Sequence, residues 1–438
     1  MELNIVNKSG LPDDADIYIG ILGQDSSLNY GYLKTVSGVT TFTLASGADS
    51  VASENIPFYS LKDLNDSIVL SDHITSANVF VSILTPMEIP IWESGYTEPT
   101  FTSATATDVL YDKVEFTYGI NGVGAEYCKA KTTCEDFFAI PMTLALTTKA
   151  DRPTGPVGIP KSKGDICKNF LLNTTLSGLI LEDADGLPLR ILSASSASTM
   201  TSYLKESISE VWDYYASETL TLEPITLGNE TFTFLGKVNN NAFTFTTTTT
   251  NNKTGHTKID DLHTIKKPTT KDVFGCNGKF KGLTADQARK VIKVDEKGLQ
   301  NLKTILTYGT TKFEGDKAIL DVISILLNDV DQDLTKAQDA LRDIALFMII
   351  DANIKKQVAA ALNRGILPLA KGQKLSNASR YYPQKTDSPK SNLYAATLHK
   401  LSYKNLCYGF PFDDECKQSS DISLSSSLTL TLTIDRVV

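Results

Sequence analysis

The chain has 438 residues, of which 41% are hydrophobic and 21% charged, as in an ordinary globular protein. This length exceeds one common hydrophobic core, so we expect two domains or one domain with a large insertion. The formal net charge of −9 argues against nucleic acid and against anionic membranes as main partners, because phosphate groups favour clustered Lys and Arg; a neutral substrate suits it better.

The first 150 residues alternate between apolar and polar side chains, with clusters of Gly, Pro, Asp and Ser between the alternating runs. This pattern is typical of a β-sandwich or barrel. The clearest strands are predicted at DIYIGIL (16–22), NVFVSIL (78–84), KVEFTY (113–118) and IPMTLALTT (140–148). The N-terminal stretch has no basic segment followed by an apolar one, so no signal peptide is visible.

A segment rich in proline and glycine, KADRPTGPVGIPKSKGD (149–165), indicates a domain boundary. The pattern changes after it. The stretch TSYLKESISEVWDYYASE (201–218) spaces its apolar residues every three or four positions, which predicts an amphipathic helix.

Two further strands are predicted at 230–236 and 241–250, and the second is Thr-rich enough to form a β-hairpin arm. Residues 284–367 predict three or four helices, with Gly365 as the stop signal of the last one. The longest apolar run in the chain, ALFMII (345–350), is much shorter than a membrane span.

The final segment, SLTLTLTIDRV (427–437), alternates strictly and needs a sheet to join. The N-terminal β-region is the nearest candidate. We therefore expect an α+β fold. A β-sandwich or barrel domain would be formed by residues 1–150 and 400–438, and an inserted mixed α/β domain would cover 151–399, with a cleft between the two.

A single carboxylate interrupts the strand LYDKVEFTYG (110–119). Because side chains alternate along a strand, Val114, Phe116 and Tyr118 face one way, and Glu115 and Thr117 face the other. The second face is therefore polar, and it either meets bulk water or lines a cleft.

A second isolated acid, Asp136, lies in TTCEDFFAIPMTLAL. Glu135 is adjacent to it, but neighbours in a strand point to opposite faces, so only one of the two can share a face with Glu115. Two carboxylates on adjoining strands are the minimal apparatus of glycoside hydrolysis, one protonated and one ionised. Solvated surface acids are the alternative interpretation.

The six cysteines form no CxxC pair and the four histidines are scattered, so we expect no metal site. Cys128 and Cys134, and likewise Cys407 and Cys416, are close enough in sequence for small disulfide loops, which would imply an oxidising compartment. Buried free thiols are the alternative.

Several blocks, in this order along the chain, resemble glycoside hydrolase family 64, the laminaripentaose-producing endo-β-1,3-glucanases with a thaumatin-like β-domain. The blocks are IVNKSGLPDDADIYIGILG near the N-terminus, VEFTY, TTCEDFFAIPMTL, KPTTKDVFGCNG (267–278), AALNRGIL (360–367), NLYAATLHK (392–400) and YGFPFDD (408–414). Residues 281–345 and much of 23–105 carry no part of the resemblance.

The resemblance implies an inverting endo-β-1,3-glucanase that needs no metal or organic cofactor. Glu115 would be the general acid and Asp136 the general base, with their carboxyls about 6.5–9.5 Å apart. Thr117 and Thr133 match positions whose hydroxyls contact glucose. Asp413 and Asp414 match acids at the edge of the cleft, although a turn after Pro411 is the alternative interpretation of that pair.

The loop between the two acids departs from the family pattern because it is longer. Asn121 stands nearest to the family's Asn, and Tyr127-Cys128 stand where the family has Trp-Cys. Tyrosine keeps an aromatic face for stacking on a pyranose but offers less area than tryptophan. Product length is therefore not implied by the resemblance.

The partner implied by the resemblance is a β-1,3-glucan polysaccharide or oligosaccharide. We expect an extracellular monomer, in a mature form, that binds neither nucleic acid nor membrane. Two other classes stay open: a non-catalytic glucan-binding protein on the same scaffold, and a structural or toxin-like protein, for which the Thr-rich segment at 241–250 is the hint.

Overall fold

The structure is a computed structural model, and it describes residues 1–11, 14–36, 39–103, 108–120, 124–148, 153–282, 335–369, 372–383, 391–425 and 428–437. Close contacts divide the chain into two compact units. Unit 1 comprises Met1–Thr201 and Asn392–Val438, and unit 2 comprises Ser202–Ser391.

The chain forms mixed sheets with few helices. The first strands are β1 (Glu2–Asn7), β2 (Ile17–Gln24), β3 (Tyr30–Val36), β4 (Val39–Leu44), β5 (Glu54–Asn55), β6 (Tyr59–Ser60), β7 (Ser67–Val69), β8 (Ile74–Ile83), β9 (Pro90–Trp92), β10 (Gly95–Tyr96), β11 (Leu110–Ile120) and β12 (Glu126–Thr132). The next strands are β13 (Phe137–Phe138), β14 (Met142–Thr148), β15 (Thr154–Gly158), β16 (Ile180–Glu182), β17 (Pro188–Leu192), β18 (Leu220–Thr221), β19 (Ile225–Leu227), β20 (Glu230–Asn239), β21 (Ala242–Asn251), β22 (Thr257–Lys266), β23 (Asp421–Ser425) and β24 (Leu428–Ile434). The helices are α1 (Leu61–Leu64), α2 (Lys163–Leu171), α3 (Lys205–Ser217), α4 (Thr270–Phe274), α5 (Thr335–Asn363) and α6 (Leu393–Leu401).

Two sheets enclose the main core of unit 1. The larger has eight strands in the order β23-β12-β11-β8-β2-β3-β4, with β6 beside β2, and the smaller has the order β15-β14-β24-β1-β7. Apolar side chains of both sheets form one buried cluster, to which Val79 and Phe116 contribute from the larger sheet and Leu144 and Leu432 from the smaller. The strands predicted at 16–22, 78–84, 113–118 and 140–148 correspond to β2, β8, β11 and β14.

The C-terminal strand joins the N-terminal region, as its alternation predicted. Strand β24 pairs in parallel with β1 and antiparallel with β14. Unit 1 is thus assembled from both ends of the chain.

The division into units differs from the predicted domain limits, because residues 153–201 pack in unit 1 rather than in the insertion. Strand β15 pairs with β14, and β17 pairs with β13. Some of the prolines and glycines that predicted a domain boundary at 149–165 belong to β15, which is an edge strand. Proline is tolerated at an edge because a missing N–H breaks no ladder there.

Unit 2 contains the sheet β18-β20-β21-β22, with β19 beside β20. The hairpin β20–β21 turns at Asn240 and Asn241, whose φ angles of 48° and 62° suit the tight turns that asparagine favours. Trp212 of α3 packs edge-on against Phe243 of this hairpin, with ring centroids 5.0 Å apart. The predicted helix at 201–218 is therefore α3, and its apolar stripe faces the Thr-rich strands.

Helix α5 is the last of the helices predicted between 284 and 367, and the earlier ones lie outside the described residues. The helix ends at Asn363, and Gly365 adopts a φ of 64°, which is the stop expected from the sequence. Across the described ranges, no helix combines the length and the apolar character needed to cross a membrane.

Candidate active site

The polar face of β11 is the framework of the candidate site. Val114, Phe116 and Tyr118 are buried in the core at 1–2% exposure, whereas Glu115 and Thr117 are half-buried on the opposite face. The predicted division of this strand into an apolar and a polar face is confirmed. Lys113, which the sequence analysis did not single out, shares the polar face by the same alternation.

Glu115 is held by a lysine of the neighbouring strand. Its register partner on β12 is Lys131, and the Lys131 Nζ lies 3.1 Å from Glu115 Oε2. The same ammonium group sits 3.9 Å from the centroid of the Tyr408 ring, a cation–π contact. The ion pair with Lys131 fixes the Glu115 side chain, which at 36% exposure remains open to solvent.

Asp136 lies in the bend that connects β12 to β13, and its side chain is 41% exposed. Its Oδ2 atom is 4.0 Å from Lys113 Nζ, and the same Nζ is 2.5 Å from Glu98 Oε2. Burial is the largest single influence on Lys113 and disfavours its charge, but the charges of Glu98, Tyr96 and Asp136 and the hydrogen bond to Glu98 together raise the Lys113 pKa above its ordinary value. Burial also raises the pKa of Glu98, against the opposing charge of Lys113.

The carboxyls of this face belong to one electrostatic cluster, which we call the acid cluster: Glu98, Glu115, Glu135 and Asp136. Glu98 and Glu135 each feel the charges of both Glu115 and Asp136. Burial, followed by the charge of Asp136, raises the pKa of the Glu135 carboxyl to about 7.

The expected opposite orientation of Glu135 and Asp136 depends on a strand at this position, and no strand forms there. Residues 135 and 136 form a bend rather than a strand, so the two-residue alternation does not apply to them. The Glu135 carboxyl interacts electrostatically with both Asp136 and Glu115.

Asp112 fixes the segment after Asp136 against β11. Its Oδ2 accepts hydrogen bonds from the backbone N–H of Ala139 (2.7 Å) and of Ile140 (3.0 Å), and its Oδ1 accepts from the N–H of Lys113 at 2.8 Å. Burial raises the Asp112 pKa to about 7 even though these three hydrogen bonds favour the ionised form. The buried carboxyl thus connects the strand of Glu115 to the bend of Asp136.

The remaining predicted substrate contacts differ in their exposure. Thr117 is half-buried, and its Oγ1 accepts a hydrogen bond from the N–H of Ser76 at 3.3 Å. Tyr127 is half-buried and alternates with Lys131 along β12, so it shares the face of Glu115. Thr133 is only 7% exposed. Asn121 lies outside the described residues.

The prediction that both Asp413 and Asp414 contact sugar needs correction. Asp413 is fully buried, and its Oδ2 lies 2.8 Å from His399 Nε2 and accepts from the N–H of Gly409 at 2.9 Å. A side chain committed in this way is not available to a ligand at the surface. Asp414 is exposed.

Of the two alternatives for the cysteines, the structure shows thiols rather than disulfide loops, since none of the six is in a disulfide bond and five of them are buried. The side chain of Cys134 instead hydrogen-bonds to that of Cys407. Cys128 and Cys134 are close in sequence but are separated by extended chain, because Cys128 lies within β12 (Glu126–Thr132) and Cys134 follows the end of that strand.

Three charged residues of the site escaped the sequence reasoning. Lys113 could have been found from the alternation that identified Glu115. Lys131 required the β11–β12 register, and Glu98 required a contact across 15 residues that ends in a non-repetitive segment. In the part of the chain that the structure describes, no cluster of His, Cys, Asp and Glu could hold a metal ion.

Comparison with known proteins gives a consistent result. The model of the family described as Beta-1,3-glucanase, glycoside hydrolase family 64, matches residues 1–434. No curated protein sequence matches the chain.

Solved structures of this family share the fold. A laminaripentaose-producing β-1,3-glucanase in complex with laminaritetraose is 18% identical with a TM-score of 0.68, over 100% of this chain and 98% of that one. A β-1,3-glucanase domain (GH64) from Clostridium beijerinckii is 19% identical with a TM-score of 0.66, over 99% and 98% of the two chains. A laminaripentaose-producing enzyme from Paenibacillus barengoltzii is 16% identical with a TM-score of 0.54, over 99% of this chain and 74% of that one.

At these identities the structural likeness concerns the fold, whereas the family model covers nearly the whole sequence. The chain is therefore a glycoside hydrolase and belongs to glycoside hydrolase family 64, the β-1,3-glucanases.

Proposed function

We propose that this β-1,3-glucanase cleaves laminarin-type chains internally and with inversion, using Glu115 as general acid and Asp136 as general base. Glu115 protonates the leaving glycosidic oxygen while Asp136 removes a proton from a water that attacks the anomeric carbon from the opposite side. The reaction needs only water and two carboxyls, so it requires no metal or organic cofactor.

The observation that carries the proposal is the placement of two half-exposed carboxyls around Lys113. Two residues along an antiparallel strand span about 7 Å, which separates Lys113 from Glu115 on β11. Asp136 Oδ2 lies 4.0 Å from Lys113 Nζ. This arrangement is compatible with the separation of about 6.5–9.5 Å that an inverting enzyme needs for its water.

The two lysines give the acids different surroundings. Lys131, pinned against Tyr408, fixes the direction of the Glu115 carboxyl, and Lys113 neutralises Glu98 next to Asp136. Glu135, whose pKa is about 7, keeps a proton near neutral pH within the same acid cluster. It can therefore return a proton to Glu115 after each turnover.

The glucan would lie along the polar face of the eight-stranded sheet. Thr117 offers a hydroxyl next to Glu115, and Tyr127 offers an aromatic ring further along the same face. Aromatic rings bind the apolar side of a pyranose, and hydroxyls bind its rim. Asn121 and Asp414 remain predicted contacts, and Thr133 would need to become exposed on binding.

The finer description of the molecule belongs to the same proposal. Unit 1 would be the thaumatin-like domain, unit 2 the inserted domain, and the enzyme an extracellular monomer. The joining of both chain ends in unit 1 supports the first point. A polymeric substrate, too large to enter a cell, supports the extracellular location.

The test compares wild type with Glu115→Gln and Asp136→Asn in reducing-sugar release from laminarin. Each substitution keeps the size of the side chain and removes its proton transfer, so we expect kcat to fall by about 10²–10⁴-fold while laminarin binding persists.

Glu88→Gln is the matched control, because Glu88 is an exposed carboxylate elsewhere in unit 1, and it should retain full activity. Near-normal turnover in either active-site variant would contradict the assignment of that residue. Laminarin binding without turnover by the wild type would contradict hydrolysis itself.

A further inference from the structure

A pair of buried cysteines connects the segment that carries Asp136 with the C-terminal part of unit 1. Cys134 lies two residues before Asp136, and Cys407 follows α6. Both are buried, at 5% and 1% exposure, and their side chains hydrogen-bond to each other. We propose that Cys134 and Cys407 form a disulfide bond under oxidising conditions.

Backbone hydrogen bonds hold the two cysteine segments next to each other. The N–H of Cys134 donates to the carbonyl of Tyr408, the residue after Cys407, at 2.8 Å, and the Tyr394 hydroxyl donates to the carbonyl of Cys134 at 2.7 Å. On the other side, the N–H of Cys407 donates to the carbonyl of Gln418 at 3.1 Å. Both segments are thus anchored in the folded chain, with the two thiols in contact.

The surroundings favour a thiolate on Cys407. Its pKa is lowered first by the hydrogen bond from Cys134 and then, against burial, by the charge of His399. His399 is cationic there because the charge and hydrogen bond of Asp413 outweigh burial and raise its pKa to about 9. The thiolate is the nucleophile of thiol–disulfide exchange, so Cys407 is the attacking sulfur of the pair.

The oxidant is a small-molecule disulfide such as oxidised glutathione. The Cys407 thiolate attacks one glutathione sulfur, forms a mixed disulfide and releases one glutathione thiolate. Cys134 then loses its proton, attacks the Cys407 sulfur and releases the second glutathione. Two protein thiols are oxidised by two electrons while one glutathione disulfide is reduced to two thiols. Because both sulfurs are buried in the folded protein, the exchange takes place late in folding, when His399 already lies beside Cys407 but glutathione can still reach the pair.

The bond would tie down the bend of the acid cluster. It joins residues that are far apart in sequence, and a cross-link of that kind removes much of the freedom of the unfolded chain. This pairing differs from both loops that sequence proximity suggested, and it agrees with the extracellular location proposed above.

The test is refolding of the denatured, reduced full-length enzyme in a mixture of reduced and oxidised glutathione, followed by alkylation of free thiols. A non-reducing tryptic digest should contain peptide 132–149 cross-linked to peptide 405–417, with Cys128, Cys167 and Cys276 alkylated. The oxidised enzyme should unfold several degrees above the enzyme in dithiothreitol.

Peptide 405–417 carries both Cys407 and Cys416, so Cys416→Ser is the matched control. This variant should keep the cross-link and the redox-dependent shift in unfolding temperature, whereas Cys407→Ser and Cys134→Ser should lose both. Should the wild-type digest show six alkylated cysteines, or a bond within 405–417 or between 114–129 and 132–149, the proposal is wrong. The wild-type digest tests the Cys134–Cys407 bond even if a variant fails to fold.

Discussion

Two lysines compensate part of the negative charge of the acid cluster. Lys131 balances Glu115 at 3.1 Å, and Lys113 balances Glu98 at 2.5 Å and approaches Asp136 at 4.0 Å. Glu135 has no lysine as its main neighbour, and burial together with Asp136 raises its pKa. The surplus negative charge of the site is therefore relieved by a proton on Glu135 near neutral pH.

Protonation of Glu135 should make the unfolding free energy depend on pH. The folded-state pKa of Glu135 is about 7, above an unfolded value of about 4.3, so its favourable contribution is full below pH 4 and lost as the pH rises through 7. Glu135→Gln mimics the protonated form. We expect the variant to exceed wild type in unfolding free energy by roughly 1–3 kcal/mol at pH 8, with no difference near pH 4.

Urea unfolding at a series of pH values measures this difference, and Glu88→Gln is the exposed control. A Glu135→Gln variant whose advantage is independent of pH would show that ionisation of Glu135 has no energetic cost in the folded protein.

Asp413 makes a second residue-level prediction, because the structure gives it a different role from the one implied by the family pattern. It is the buried partner of His399. Removing one charge of a buried pair leaves the other uncompensated, so Asp413→Asn should lower the unfolding free energy by about 3 kcal/mol. Where the variant is folded, its KM for laminarin should stay at the wild-type value.

Asp414→Asn is the neighbouring control, since Asp414 is exposed, and it should leave stability unchanged. If Asp413→Asn keeps full stability and loses laminarin binding instead, Asp413 reaches the substrate and the structural role is wrong.

At the scale of secondary structure, strand β11 and the bend before β13 are the two elements that the site depends on. Asp112 joins them through hydrogen bonds from Ala139 and Ile140. Asp112→Ala leaves these buried N–H groups without their acceptor, so we expect the unfolding free energy to fall by about 2–4 kcal/mol. Asp112→Asn keeps one oxygen acceptor and should cost less.

Chemical denaturation of wild type and both variants measures their unfolding free energies, which should decrease from wild type to Asp112→Asn to Asp112→Ala. Equal stability of Asp112→Ala and wild type would mean that the bend is held by other contacts.

Elements with strong periodicity were predictable from the sequence, and their boundaries were less so. The alternation of β11 identified both of its faces, and the alternation at 427–437 identified β24 and the region it joins. The predicted domain boundary at 149–165 differs from the division into units, because proline and glycine also occur in edge strands such as β15. Cross-strand partners such as Lys131 depend on register, which the sequence alone does not supply.

At the scale of the whole molecule, the chain combines a neutral substrate class with a net charge of −9. A neutral glucan neither gains nor loses from this charge. The family resemblance could be seen in separate sequence blocks, which cover β13 and α4, most of β2 and α6, parts of β1, β11 and β14, and the end of α5. The buried role of Asp413 could not be seen there, because burial depends on contacts between distant segments.

In the proposed mechanism two carboxyls act from opposite sides of one glucose ring with a water between them. Proton NMR of the first products released from laminarin, recorded before mutarotation, distinguishes this mechanism from retention. Inversion predicts that the new reducing end appears as the α-anomer. A β-anomer at the earliest time points would require a covalent intermediate and would contradict the roles assigned to Glu115 and Asp136.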